Sequence, residues 1–558
     1  MNSFESPDSP QFPDEYTWFM GCESENDTLE RQKLKYYAQR TFNLIFCDEN
    51  NIMTEGGVVS LEHQCEPRDC HSHDRSSGIV STPVQSCDEE IRTVVDVEPN
   101  DLNVGCKGGK RRVFPSASFA SFRLLTNCVS RRADQKLSTN AIICLAGDKF
   151  VQSKGRHEEM LIGGHLSSGT FSGLTKENRR DAELVFYLLA SAEKIGEKQF
   201  DNARKLLEHC NELSYYAGNS IQRLGYYFSE ALSKKINKEM GRTSSKNLGK
   251  SNLSALEDAM MGPNPTIIAY HKAIPMNHII HFAGIQSIVE HVAGARKIHI
   301  IDLSIRDGNQ HTISMQALAK RSERSVKCLR ITAIGTKSKK KIEESGRRLK
   351  SFAQSLKLPF TFNILMVDDI LDLKEELLLI DSDEAVAVFS KHFLWNMLGQ
   401  TERLESLMRV IKVIKPRVMI VSEVEANHNS PVFVNRFLET LFYYGAEFDV
   451  LEDCMKNDEL NRLNLEAFYF SKSIHSIISA EGEERTFRHV KIEVWRAFFA
   501  RFGMMETEFS MSSIQQVNLV PKSPPYSSSC TLDKDGKSLI IGWKETPLHS
   551  LSAWRFMY

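Results

Sequence analysis

The amino-acid sequence predicts an α/β fold, in which a doubly wound parallel sheet carries an α-helical cap and follows a disordered N-terminal region. Three observations lead to this prediction. The first part of the 558-residue chain has no sustained periodicity, three amphipathic helical patterns come next, and from residue 297 short β-branched runs alternate with helical patterns. Such alternation is typical of a parallel sheet with helices on both faces.

The N-terminal region, residues 1–173, differs from the rest in composition. Residues 1–100 hold 20 acidic and 7 basic residues, whereas the remainder holds 52 acidic and 63 basic residues, a net charge of +11. Ser, Pro, Asp, Asn and Gly recur throughout the region. A segment of this kind buries too little apolar surface to offset its ordering entropy, so we expect residues 1–173 to be disordered.

Two clusters in this region are candidates for function. In a flexible tail, a basic run is a candidate nuclear-import signal, and here it consists of Lys107, Lys110, Arg111 and Arg112. A second cluster combines the ligand types that bind zinc: His63, Cys65, Cys70, His71 and His73. Its spacing matches no common zinc finger, so a zinc site and a cluster without metal are the two alternatives here.

Several classes of protein are excluded by simple counts. No run of about 18 apolar residues occurs, so we expect no membrane span. The N-terminus lacks the basic and apolar segments of a secretory signal. Twelve cysteines are too sparse for a disulfide scaffold, and we expect them to be reduced.

A helical cap is predicted at 181–245. Its apolar residues recur at i, i+3, i+4 and i+7, the pattern of amphipathic helices with one apolar stripe each. The leucines of these stripes are Leu184, Leu188, Leu206, Leu207, Leu224 and Leu232. Three successive stripes offer more apolar surface than one end of a sheet can hide, so we expect these leucines to form a partner interface. Ordinary core packing is the alternative.

The sheet is predicted from five strand–helix pairs. The strands are 298–302, 326–334, 360–367, 385–389 and 417–424, followed by helices at 311–320, 342–356, 370–379, 404–414 and 432–443. Right-handed crossovers then give a doubly wound sheet. Two more strand-like runs, 527–532 and 538–543, flank a Gly-containing turn typical of a hairpin. Five such pairs before an antiparallel hairpin is the order of Rossmann-like methyltransferases.

The residues that would bind a nucleoside cofactor are not in place. The loop after the first strand, Asp302–Gly308, has one glycine where three are expected, and the second strand is followed by lysines rather than by an acid for the ribose hydroxyls. No phosphate-binding loop, nucleophile elbow or zinc-protease motif occurs. We therefore predict no cofactor, no bound metal in this domain and no catalytic residues.

Glu423 and Glu425 end the fifth strand and face the same side, because they are two residues apart. Paired carboxylates at such a place can serve acid–base chemistry. The expected role is nevertheless structural, either holding a nearby arginine or capping the segment 427–429.

The ordered set of motifs resembles the GRAS family of plant transcriptional regulators. Ile298, His299, Ile300, Ile301 and Asp302 resemble its VHIID motif, with isoleucine in the valine position. The other regions follow in the family's order: leucine-rich region I at 181–245, the VHIID region at 265–335, leucine-rich region II at 343–375, the PFYRE region at 385–480 and the SAW region at 483–558. We expect 174–558 to be one GRAS domain.

This resemblance implies a non-enzymatic nuclear regulator with a methyltransferase-like sheet under a helical cap. It implies homo- or heterodimers and binding to DNA-bound transcription factors, namely zinc-finger proteins and other GRAS proteins. The cap resembles the DELLA branch most, although the N-terminal region has no Asp-Glu-Leu-Leu-Ala stretch. Two alternatives remain: direct DNA binding, if the net charge of +11 gathers on one face, and an S-adenosylmethionine-dependent methyltransferase.

Several residues of the motifs that resemble the family pattern have expected structural or interaction roles. Asp302 is expected to accept hydrogen bonds that fix the following loop. Arginines near carboxylate-rich segments are expected to form bidentate bridges, and tryptophans to anchor the core or an interface. These residues are Arg485, Arg488, Arg496, Trp495, Trp543 and Trp554.

Overall fold

The computed structural model describes residues 137–153, 169–242, 264–321, 325–521, 529–544 and 546–557. The candidate nuclear-import residues 107–112 and the Cys/His cluster at 63–73 lie outside the described residues. Among the described residues, no group of His, Cys, Asp and Glu side chains could hold a metal ion. No helix there is long and apolar enough to cross a membrane.

Helices and strands are numbered here in chain order. The α-helices are α1 (Thr139–Ser153), α2 (Lys176–Gly196), α3 (Phe200–Leu213), α4 (Ser220–Glu239), α5 (Pro265–Ala273), α6 (Pro275–His291), α7 (Asn309–Ala319), α8 (Lys339–Ser355), α9 (Thr401–Ile414), α10 (Phe433–Cys454), α11 (Glu459–Asn464), α12 (Ser471–Ser479), α13 (Ile492–Arg501) and α14 (Met511–Val517). The strands are β1 (Lys297–Asp302), β2 (Cys328–Gly335), β3 (Phe360–Met366), β4 (Ala385–Lys391), β5 (Val418–Val424), β6 (Met504–Thr507), β7 (Cys530–Asp535), β8 (Ser538–Trp543) and β9 (Thr546–Phe556).

The strands form one mixed sheet in the described part of the chain, in the order β3-β2-β1-β4-β5-β9-β8-β7, with β6 paired to β9. Strands β1 to β5 are parallel. Strand β9 is antiparallel to its neighbours β5 and β8. All residues of β4 and β5 are buried, as expected for central parallel strands. The predicted methyltransferase-like α/β fold is confirmed, whereas β9, which separates the hairpin from β5, was not predicted.

Two predicted helices differ from the structure, one in kind and the other in length. The helix predicted at 370–379 is wrong: two short 3-10 segments, Ile370–Asp372 and Glu375–Leu378, occupy this stretch. Asp369 and Asp372 form a capping box within a single turn, and Leu379 ends the second segment at φ 49°. Conversely, the helix predicted at 432–443 continues to Cys454, because its apolar residues continue to be buried.

The prediction that residues 1–173 are disordered is wrong for α1. Its residues Ile142, Ile143, Ala146 and Phe150 are buried at 0–2% exposure, and the apolar spacing along one face is that of an amphipathic helix. Gly445 on α10 permits the close approach, since a Cβ there would lie 2.7 Å from Ile143 Cδ1. Helix α1 is therefore part of the folded domain.

The helical cap consists of α1 to α4. Helix α2 packs against α1, α3 and α4, and also against α10. The six leucines predicted to form a partner interface are 0–2% exposed. That prediction is wrong, because neighbouring helices cover every stripe. The alternative prediction, core packing, agrees with the structure, in which the hydrophobic core includes Leu184, Leu188, Leu206, Leu207, Leu224 and Leu232.

Candidate functional site

The carboxyl edge of the parallel strands is the candidate functional site. Segments after β1, β2 and β4 meet residues of α10 and α12 around a cavity of about 230 Å³. Ligands of open α/β sheets bind at this edge, outside the carboxyl ends of the strands.

Asp302, the last residue of β1, accepts hydrogen bonds within the protein through both carboxylate oxygens. Its Oδ1 accepts a hydrogen bond from the Ser304 backbone N–H at 2.9 Å, and its Oδ2 lies 2.8 Å from Gln310 Nε2 and 2.7 Å from His311 Nε2. Asp302 and His311 are each 0% exposed. These bonds tie the loop after β1 to the start of α7, the contacts that a loop-fixing carboxylate would make.

The rest of the VHIID motif forms part of the core. Ile298, Ile300 and Ile301 are 0–1% exposed, and His299 is fully buried. His299 Nε2 lies 2.7 Å from Thr332 Oγ1 of β2, so the histidine links the two strands. Burial beside Arg330 lowers the pKa of His299 to about 4, which keeps it neutral. The motif thus builds the sheet and does not face a partner.

The residues at this edge do not fit S-adenosylmethionine. Strand β2 is followed by Thr336 and Lys337, where a carboxylate would be needed for the ribose hydroxyls. Asp302 already holds three donors, and Gly308 at φ 74° serves as the N-cap of α7. No methyl-transfer step is therefore assigned to this site.

Aromatic residues form the inner wall of the cavity. Tyr443 and Tyr444 come from α10, and Tyr469 comes from the π-helical segment Leu465–Phe470. Trp395 stacks on Phe487 with ring centroids 4.7 Å apart, and its Nε1–H donates to the His392 carbonyl at 3.1 Å. These side chains make the interior apolar.

Four histidines lie beside this wall. His392 and His549 stack with centroids 4.8 Å apart, and His428 Nδ1 lies 2.8 Å from His489 Nδ1, so one ring donates and the other accepts. Burial lowers the pKa of His428 and of His549 to about 3. It also holds the pKa of His392 and of His489 well below the usual range. Sequence reasoning missed this neutral cluster because its members come from four separate segments.

Glu423 and Glu425 cap other elements. Glu423 Oε1 accepts from the backbone N–H groups of Phe393 (3.1 Å) and Leu394 (2.8 Å), at the start of a 3-10 turn. Glu425 accepts from the Ile492 N–H at 3.1 Å, at the start of α13. Burial raises the pKa of Glu423 to about 8 and that of Glu425 to about 7. The two carboxylates make these caps rather than the expected contacts to an arginine or to residues 427–429.

Of the three arginines expected to bridge carboxylates, Arg496 does so. Its guanidinium lies 3.0 Å from Glu506 and 3.2 Å from Asp535, joining α13, β6 and the hairpin. Arg485 instead donates to the carbonyls of His428 and Ser430. Arg488 donates to Asn429 Oδ1 at 2.9 Å and to the carbonyls of Arg485 and Gly482, so both arginines hold the loop after β5.

The three tryptophans of the C-terminal motifs are core residues. Trp495, Trp543 and Trp554 are each 1% exposed. Trp554 lies on β9 and donates from Nε1 to Ser552 Oγ at 2.8 Å. Their large apolar area anchors the sheet to α13, which is one of the two roles expected of them.

A buried ion-pair network joins the cap to the sheet domain. Arg223 Nε lies 3.0 Å from Glu466 Oε1, with both side chains 0% exposed, and Arg223 Nη1 lies 2.8 Å from Glu452. Asp449 on α10 accepts hydrogen bonds from Thr139 of α1, and Lys544 lies 3.4 Å from its Oδ2. No motif pointed to these contacts, because each partner is remote in sequence.

The sheet order and the cavity at its carboxyl edge define an α/β protein of methyltransferase-like topology whose edge lacks the groups that class uses for its cofactor. Residues 184–555 match the GRAS domain family. The chain belongs to the GRAS domain family, whose DELLA members are transcriptional regulators in plant development.

Individual relatives agree with this assignment. The chain is 29% identical over 401 residues to DELLA protein RGL1 of Arabidopsis thaliana, covering 72% of this chain and 75% of the relative. It is 27% identical to DELLA protein GAIP of Cucurbita maxima, of which it spans 64%, less than two thirds. The crystal structure of SCL7 in Oryza sativa is similar with a TM-score of 0.57 and 25% identity, covering 67% of this chain and 99% of that one.

Proposed function

We propose that this chain regulates transcription in the plant nucleus by binding DNA-bound transcription factors, among them zinc-finger proteins and other GRAS proteins, as a homo- or heterodimer. Membership of a family of regulators rather than enzymes supports this proposal. The observation that carries the proposal is that the Asp302 carboxylate is hydrogen-bonded within the protein. Because three internal donors engage this carboxylate, the strand end serves the architecture of a scaffold.

The cap offers an exposed surface for such a partner. Tyr215, Tyr216 and Tyr226 are 53%, 50% and 39% exposed. Their rings are contiguous, since the centroids of Tyr215 and Tyr216 are 5.0 Å apart and those of Tyr216 and Tyr226 are 6.1 Å apart. Exposed tyrosines combine apolar area with a hydroxyl, which makes them frequent in protein interfaces. We call these three residues the tyrosine patch.

The test compares two triple variants of the full chain. The first replaces the tyrosine patch (Tyr215→Ser, Tyr216→Ser, Tyr226→Ser). The control replaces three exposed residues of α3 (Lys205→Ser, Glu208→Ser, Asn211→Ser). Each is co-precipitated from plant nuclei, and the transcription factors recovered with the wild type are quantified. We expect the control to retain them and the patch variant to lose most of them at an unchanged melting temperature. Equal recovery by both variants would place the interface elsewhere.

A further inference from the structure

The cavity at the carboxyl edge has the size and lining of a small-molecule site. Its volume is about 230 Å³, whereas an apolar cavity of about 150 Å³ already holds benzene. The aromatic residues of its inner wall, Trp395, Tyr443, Tyr444, Tyr469 and Phe487, are each at most 9% exposed. Ligand pockets are typically concave, mostly apolar and furnished with a few placed polar groups.

One of those polar groups belongs to His392 on the cavity wall. Its Nε2 is buried and has no hydrogen-bond partner among the described residues. Glu423, whose Oε1 accepts from the backbone N–H groups of the lining residue Phe393 and of Leu394, also has a buried Oε2 without a partner among the described residues, although it does not itself line the cavity. A buried polar atom of this kind on a cavity wall can bond to a molecule in the cavity, which makes His392 one of the placed polar groups of the site.

The cavity lining contains basic but no acidic side chains among the described residues. Besides histidines, its basic side chains are Arg306 after β1 and Lys337 after β2, and the described lining residues include no Asp or Glu. Lys337 is exposed at the rim, and Arg306 is half-buried. A low-dielectric cleft with one sign of charge attracts the opposite sign. An anion is therefore favoured over a cation such as the sulfonium of S-adenosylmethionine.

We propose that this cavity binds a small organic acid. Its ring-containing apolar body, of roughly 10–15 non-hydrogen atoms for a cavity of this size, lies between the aromatic walls. Its carboxylate lies at the rim beside Arg306 and Lys337. This site goes beyond the proposed partner-binding function, because it lies at the sheet edge and shares no residue with the tyrosine patch.

The test uses defined probes on the full chain. Two ring carboxylates, 2-naphthoate and adamantane-1-carboxylate, are titrated by calorimetry alongside 2-naphthalenemethanol, the neutral counterpart of the first. Lys337→Gln removes the rim charge, and Thr336→Trp places a large ring at the exposed rim. Lys340→Gln is the matched control, since Lys340 is exposed on α8 and does not line the cavity. Thermal unfolding of each variant confirms that it is folded.

We expect saturable binding of at least one carboxylate. Lys337→Gln should weaken this binding about tenfold, which corresponds to about 1.4 kcal/mol. Thr336→Trp should abolish the binding, and Lys340→Gln should leave it unchanged. The neutral alcohol should bind at least several-fold more weakly. No saturable binding of either acid up to about 1 mM overturns the proposal. Equal affinity for acid and alcohol overturns its charge argument. S-adenosylhomocysteine is titrated in the same way, and if it binds instead of either acid and Thr336→Trp abolishes this binding, the cavity is a nucleoside site and the proposal is overturned.

Discussion

The helical cap and the carboxyl edge of the sheet differ in the space around their buried polar groups. In the cap, two carboxylates neutralise the buried Arg223, and the leucines of every stripe are covered. Buried atoms without a partner among the described residues also occur there, Arg223 Nη2 and Ser229 Oγ among them, but neighbouring helices pack around them. At the sheet edge, the unpaired Nε2 belongs to His392, which lines a cavity of about 230 Å³. This difference separates a region packed against its neighbours from an edge with room for another molecule.

The largest effect is expected where the cap joins the domain. Arg223→Met leaves the buried Glu466 without its cation, whereas Glu452 keeps Arg462 at 3.0 Å, and removal of one partner from a buried ion pair costs about 3–5 kcal/mol. Urea unfolding at pH 8 measures this loss. Arg204→Met is the control, because Arg204 is only partly buried and bonds to Asn237 at 3.0 Å. A loss for Arg223→Met no larger than that of the control would show that the network does not hold the cap.

Truncation of a cap leucine tests whether the stripe is core. Leu188 is 0% exposed, so Leu188→Ala should lose about 2–5 kcal/mol of unfolding free energy through lost burial and the cavity left behind. Leu460→Ala, at a residue 53% exposed, should lose far less. If Leu188→Ala instead keeps its melting temperature and loses partner binding, the stripe is an interface after all.

At the sheet edge, Asp302→Asn keeps the shape of the side chain but removes its charge. Hydrogen bonds to a charged group contribute about 1.5–3 kcal/mol, and the amide would present an N–H toward His311 or Gln310. We expect a loss of about 2 kcal/mol in denaturant unfolding. Asp533→Asn, at an exposed position on the hairpin, serves as the control. Equal stability of the two variants would contradict the loop-fixing role.

A smaller effect should appear in the pH dependence of stability. Burial raises the pKa of Glu423 from its ordinary 4.5 to about 8, so the folded state binds this proton more tightly than the unfolded state. Its contribution is therefore full below pH 4.5 and is lost as the pH rises toward 8. Glu423→Gln removes this dependence. Between pH 6 and 8, the variant should gain about 1–2 kcal/mol relative to the wild type. Parallel stability curves would mean that Glu423 is ionised when folded.

Most of the sheet could be predicted from the sequence, because buried parallel strands are β-branched runs at regular intervals. Strand β9 escaped prediction: Pro547 interrupts its start, and its residues Ser550, Ser552 and Ala553 are small, as close packing between β5 and β8 requires. Periodicity also identified the apolar faces of the cap. It does not reveal what covers a face, and this is why the stripes predict an interface where the structure has a core.

The candidate site was less predictable than the fold. Asp302 could be identified from the sequence, because a carboxylate at the end of a strand is a local feature. The histidines around the cavity and the pair Arg223–Glu466 come together only through the topology, from segments far apart in the chain. Local patterns therefore identify single residues of such a site, whereas its composition follows from the order of strands and helices.

The most direct test of the central claim, regulation of transcription through protein partners, is a reporter assay with the full chain fused to a heterologous DNA-binding domain. The fusion should change reporter expression in plant cells. Replacement of the tyrosine patch should abolish the change, and the α3 control variant should preserve it. An unchanged reporter with every fusion, together with methyl transfer from S-adenosylmethionine by the purified chain, would contradict the account.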